Sequence, residues 1–221
     1  MQTSVPKQYL KIGGRTLIEH SLACFDQHPL IDAVVVALAD QDPYWPRLEA
    51  KWAKPLHTVA GGATRSHSVL NALQFIQQSC PLDTWILVHD AARPCLEQTD
   101  LDRLLTTLRS HPVGGLLAAP VRDTLKRSND HLECLETVDR THLWHALTPQ
   151  MFRLGLLHKA LELQIAQGLL ATDDASAIEQ AGYTPQLVSG SISNIKVTQP
   201  EDLMIAQRFI EQRQKNSRPL V

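Results

Sequence analysis

The chain has 221 residues, 43% of them hydrophobic and 20% charged, with a formal net charge of −2. That length supports one large core, and the near-neutral balance excludes nucleic acid and an anionic membrane as main partners, so any cation cluster should be local and aimed at a small ligand. Cys24, Cys80, Cys95 and Cys134 form no C-x-x-C pair, no basic-then-apolar leader opens the chain, and no apolar run approaches membrane-spanning length. Free thiols in a reducing, cytoplasmic setting are expected.

Pro6-Lys7-Gln8-Tyr9 opens the chain, and Gly13-Gly14 turns it before Thr16, a candidate N-cap for a helix with Leu17, Ile18, Leu22 and Phe25 at helical spacing. Residues 33–38 are a β-branched run without alternation, which predicts a strand covered on both faces. Residues 56–59 form a shorter strand candidate, broken by Gly61-Gly62 ahead of an amphipathic helix carrying Val69, Ala72, Leu73 and Ile76. A helix start just after glycines offers free N–H groups to a base or phosphate, although most double glycines are only turns.

The stretch Val88-His89-Asp90-Ala91-Ala92-Arg93-Pro94 organises the middle of the chain. Residues 84–88 read as a buried strand, so Asp90 falls at its carboxyl end, where open α/β sheets bind ligands. Ala91-Ala92 are small enough to let a ligand approach the backbone, Arg93 supplies a planar cation, and Pro94 fixes the turn. Two readings of this acid and guanidinium stand side by side: a strand-end salt bridge, or a site for a metal–phosphate substrate.

Asp100 is then expected to cap a leucine-rich helix, and residues 114–120 to form another buried strand. The alternation of strand and helix predicts an α/β fold with parallel strands. Between Arg122 and Arg140 the rhythm changes to short strands around Ser128-Asn129-Asp130, a hairpin that cannot stand alone and is expected to pack on a second subunit. A helix over 154–166, the cap and acidic first turn at Thr172-Asp173-Asp174, strands at 186–188 and 194–197, and a helix from Pro200 complete the chain.

His131, Cys134, His142 and His145 imitate tetrahedral zinc spacing. Only one of the four is a thiolate and the pairs straddle an extended arm, so a histidine-rich polar edge is the expected reading. Lys7, Arg93, Arg140 and Lys196 each lie at a loop or strand end beside small or turn residues. Any one alone reads as a solvated surface cation; together with Asp90 they suggest a charged site.

Several blocks resemble one family. Pro6-Lys7-Gln8-Tyr9, Gly61-Gly62-x-x-Arg65-x-x-Ser68-Val69, Val88 to Pro94, Ala119-Pro120-Val121-Arg122-Asp123-Thr124, Thr137-Val138-Asp139-Arg140, Leu143-Trp144-His145-Ala146-Leu147-Thr148-Pro149-Gln150, Thr172-Asp173-Asp174-Ala175-Ser176 and Asn194-Ile195-Lys196-Val197-Thr198 are similar, in order, to the bacterial 2-C-methyl-D-erythritol 4-phosphate cytidylyltransferases of isoprenoid biosynthesis. The resemblance implies a Rossmann-like nucleotidyltransferase fold, a mostly parallel sheet flanked by helices with a protruding β-arm at about 121–142, in one domain over 1–221. It implies transfer of CMP from CTP to methylerythritol phosphate with release of pyrophosphate, aided by Mg2+ or Mn2+. By motif, Asp90 would bind the metal, while Lys7, Arg93 and Lys196 would surround the triphosphate and the transition state. Gly62, Ser68 and Ala91 would meet the nucleotide. Thr124, Arg140, Thr148 and Thr172, with Arg93 and Lys196, would hold the acceptor, Thr124 and Arg140 reaching in from the partner of a homodimer.

One departure stands out. Family members begin with an apolar strand and a glycine-rich loop ending in a catalytic arginine, and this chain begins at Met1, where that loop should end. The expectation is an N-terminally incomplete copy whose neighbouring strands have unpaired edges. The rival expectations are a non-catalytic binding module and a cytidylyltransferase acting on another polyol phosphate such as ribitol phosphate.

Overall fold

A computed structural model of the chain describes residues 5–169 and 172–216. Two short strands, β1 (Lys11–Ile12) and β2 (Arg15–Thr16), pair around Gly13 and Gly14, both at positive φ where a side chain would be strained. α1 (Leu17–Asp26) starts at a complete capping box: the Thr16 hydroxyl accepts the Glu19 N–H, and the Glu19 carboxylate accepts the Thr16 N–H at 2.7 Å.

β3 (Val34–Leu38) and β4 (Leu56–Ala60) form a separate parallel pair. Coverage of β3 on both faces is not met: its residues are half-buried, with Ala37 exposed, and β4 is its one sheet partner among the described residues. After α2 (Arg65–Gln77) comes the main sheet, in the order β10-β6-β9-β5. It contains β5 (Trp85–Val88), β6 (Gly114–Pro120), β9 (Trp144–Arg153) and β10 (Gln186–Ser189). β10 runs parallel to β6, and β9 runs antiparallel to both β6 and β5, so three of the four strands point the same way. Among the described residues β5 pairs with β9 alone.

Side-chain alternation along β6 divides the core. Leu117 and Ala119 face α3 (Gln98–Leu108) with Leu101, Leu104 and Leu108, while Leu116 faces α4 (Leu154–Ala166) and α5 (Asp174–Gln180) with Leu157, Leu161 and Ile178. The arm consists of β7 (Leu125–Ser128) and β8 (Cys134–Val138), and α6 (Pro200–Asn216) closes the chain.

Three local expectations need correction. Asp100 does not cap α3; Glu97 holds the N-cap position, and Asp100 lies buried in the first turn, accepting the Ser191 N–H at 2.7 Å and Arg103 at 2.8 Å. Residues 194–197 form no strand: the Val197 N–H turns to the Ala92 carbonyl at 2.8 Å and the buried Asn194 side chain to the Thr148 carbonyl at 2.7 Å. The run at 144–153, quoted above only as a motif, is the longest strand of the sheet despite Pro149. The β6–β9 register jumps from Leu116↔Gln150 to Ala118↔Ala146, so residues 147–149 bulge opposite Leu117 and the missing proline N–H interrupts no ladder bond.

Candidate active site

Beyond β5 the backbone of Asp90 is locked on both sides. Its N–H donates to the Thr148 hydroxyl at 3.2 Å, and its carbonyl accepts the Arg93 N–H at 3.0 Å, closing a turn. His89 supports that turn from beneath. Its Nε2 can only donate to the Arg93 carbonyl at 3.1 Å, which leaves Nδ1 to accept the Thr148 hydroxyl proton at 2.9 Å. Burial pushes the pKa of His89 down to about 4, so the ring is neutral at ordinary pH.

The Asp90 carboxylate draws in three cations. Oδ1 accepts Arg65 Nε at 3.0 Å; Oδ2 lies 2.9 Å from Lys196 Nζ and 3.6 Å from Arg93 Nε. Burial alone would raise its pKa, but Arg65 and Lys196 outweigh burial and hold the group well below the usual carboxylate range. Arg65 extends further, placing its terminal nitrogens 3.0 and 2.8 Å from the two oxygens of Asp174, a fork-to-fork pair. Asp174 is fully buried in the first turn of α5, where Asp173 caps the helix and Gln150 accepts the Ala175 N–H at 2.7 Å. Arg93 is steered by the Asn194 carbonyl at 2.7 Å, and burial lowers its pKa.

The other expected site residues fall into distinct places. Gly62 and Ser68 do meet, the Gly62 N–H donating to the Ser68 hydroxyl at 3.0 Å. A Cβ on Gly62 would come within 2.3 Å of His67 Cβ, so this loop tolerates only glycine there. The carbonyls of Ala91 and Ala92 accept from the Ser21 hydroxyl and the Val197 N–H, so two distant segments of this chain pack on that backbone. Lys7 lies half-buried in the 3-10 turn Lys7–Tyr9, which Tyr9 anchors by donating to Asp42 at 2.8 Å. Among the described residues Lys7 has no ion pair, whereas Arg93 and Lys196 both reach the Asp90 carboxylate.

Thr148 is 4% exposed, and its hydroxyl accepts the Asp90 N–H and donates to His89. Thr172 is exposed just before Asp173. Thr124 and Arg140 are exposed at the base of the arm, where Arg140 donates to the Arg122 carbonyl. Among the described residues no three His, Cys, Asp or Glu side chains cluster into a metal cage; Asp90, 13% exposed, is the carboxylate of this cluster open to a ligand.

Sequence reasoning missed Arg65 and Asp174 as site residues. Arg65 was visible as one member of the Gly61-Gly62 block and Asp174 as a helix-start acid, but nothing local announces a pair 109 positions apart.

The comparisons with known proteins agree with one another. The family model described as 2-C-methyl-D-erythritol 4-phosphate cytidylyltransferase matches residues 1–212. A protein of that name from Pseudomonas fluorescens is 53% identical over 99% of this chain and 92% of its own length, and one from Pseudomonas aeruginosa is 53% identical over 94% and 89%. A crystal structure of 4-diphosphocytidyl-2C-methyl-D-erythritol synthase superposes with a TM-score of 0.84 at 39% identity, covering 93% of this chain and 95% of that one. The Francisella tularensis 2-C-methyl-D-erythritol 4-phosphate cytidylyltransferase superposes with a TM-score of 0.82 at 36% identity, covering 93% of each.

Proposed function

The chain belongs to the 2-C-methyl-D-erythritol 4-phosphate cytidylyltransferase family, and from that premise we propose how the cluster around Asp90 carries the reaction. The activity is transfer of CMP from CTP to the phosphate of methylerythritol phosphate in isoprenoid biosynthesis. An acceptor phosphate oxygen attacks the α-phosphorus, the bond to the β-phosphate oxygen breaks, and pyrophosphate leaves with the electron pair. The nucleophile is already an anion, so no general base is needed. The barrier lies in bringing two anions together and stabilising the charge of the transition state.

The observation that carries this reading is the convergence of Arg65, Arg93 and Lys196 on one ionised carboxylate at a strand end. Lys196 and Arg93 are the cations placed to take phosphate oxygens as they arrive, and Lys7 approaches from its own turn. Asp90, an ionised hard oxygen donor with an exposed edge, fits Mg2+ or Mn2+ completed by phosphate and water ligands. When bound, such an ion neutralises phosphate charge. Gly62 and Ser68 meet the cytidine side, and Thr172 the acceptor. Thr148 acts through Asp90, whose backbone it pins.

The arm supports a homodimer. Leu132 and Leu135 are 87% and 61% exposed, and a second copy that covered them would also bring Thr124 and Arg140 to the acceptor. A cytoplasmic setting accords with four free cysteines and with the lack, among the described residues, of any helix long and apolar enough to cross a membrane.

Pyrophosphate release from CTP, with methylerythritol phosphate and ribitol phosphate in competition, tests the reading. Mg2+-dependent release driven by methylerythritol phosphate and abolished in Asp90→Asn is expected. No release, or preference for ribitol phosphate, would overturn it.

A further inference from the structure

The two oxygens of Asp90 are held in different ways. On the Oδ1 side, Arg65 has Nε on Asp90 and both terminal nitrogens on Asp174 at 3.0 and 2.8 Å, and the Asp174 side chain has no exposed surface. On the Oδ2 side, Lys196 is 38% exposed on a flexible stem, while Arg93 Nε stands off at 3.6 Å with no hydrogen-bond partner. An arriving phosphate attracts all three cations, but they are not equally free to move. Were Arg65 to leave, Asp174 would become a buried, uncompensated carboxylate, a loss that buried ion pairs do not tolerate.

We infer that Arg65, anchored by Asp174, is a positioning residue: it stays on Oδ1 through the catalytic cycle and keeps Oδ2 facing the ligand while Lys196 and Arg93 transfer to substrate phosphates. This rests on the reading of Asp90 as the reactive-site carboxylate. α2 supplies Arg65 and α5 supplies Asp174, so the orientation of one carboxylate is set jointly by two helix starts. Lysine cannot replace the fork, because a point charge cannot serve both Asp174 oxygens and Asp90 at once.

Two variants and one measurement on the unaltered protein test this. Arg65→Lys should lower kcat ten- to a hundredfold, the scale of loss expected when a reacting group is misplaced by about 1 Å, with the KM values for CTP and acceptor changed less than about threefold. Arg65→Met combined with Asp174→Leu removes both charges without leaving either buried alone. It should lower kcat similarly, again with the KM values changed less than about threefold. On the unaltered protein, titration with pyrophosphate should shift the Arg93 Nε–H resonance and leave that of Arg65 in place.

Wild-type kcat in the folded double variant would overturn the inference, as would an Arg65 resonance that shifts together with Arg93. Asp90→Asn separates the two levels: if it retains turnover, the reading of the site itself fails, whereas an inactive Asp90→Asn beside a fully active double variant sinks only the role of Arg65.

Discussion

The end of β5 and the arm at residues 121–142 meet water on opposite terms. At the strand end, backbone, imidazole, hydroxyl and carboxylate partners are drawn from five separate parts of the chain and mostly buried. On the arm, the Arg127–Glu136 pair and the Asn129 turn contacts are local and exposed, and the large apolar residues face outward. A charged site gains from a fixed environment, because groups already oriented need no reorganisation when charge develops. A hairpin with an exposed apolar face gains stability only from whatever covers it.

That contrast can be broken at either end. Lys196→Ala should cut turnover roughly a hundred- to a thousandfold, about 3–4 kcal/mol of barrier by analogy with loss of an oxyanion donor, while the melting temperature stays put; near-normal rates would remove Lys196 from the site. His89 provides a pH test of the same region. Its folded pKa is lowered from 6.5 to about 4, so its contribution to stability is whole above pH 6.5 and disappears progressively as pH falls to about 4. The loss across that window should reach about 3 kcal/mol, and urea titrations of His89→Gln should show a flatter slope there.

Arm substitutions should behave differently. Leu132→Ser with Leu135→Ser should convert a dimer to a monomer in sedimentation while moving the unfolding free energy of the single chain by less than about 0.5 kcal/mol. An unchanged mass would show that the arm is not the contact. Smallest of all, Arg127→Ala should cost about 0.2–1 kcal/mol, diminishing with added salt in chemical denaturation.

The pattern of what could be read in advance follows the range of each interaction. α1 with its Thr16 cap, α4, β6 and the arm were legible because periodicity, capping and turn chemistry act within a few residues. The meeting of Arg93 and Lys196 with Asp90 was legible from their strand-end or loop-end positions and from family motifs. β9 was not, since proline inside a run argues against a central strand until the facing register shows where the extra residues bulge. The segment at 194–197 looked like a strand by composition, and its actual partners lie on the loop after β5.

By itself the sequence determined the α/β alternation, the family and the residue types that suit phosphate chemistry, because these depend on local spacing and on side-chain identity. Tertiary structure alone decided that Arg65 and Asp174 join the cluster around Asp90 and that the Thr148 hydroxyl accepts the Asp90 N–H. Those outcomes depend on which distant segments meet, and Coulombic and hydrogen-bond partners are chosen by distance in space, to which separation along the chain gives no guide.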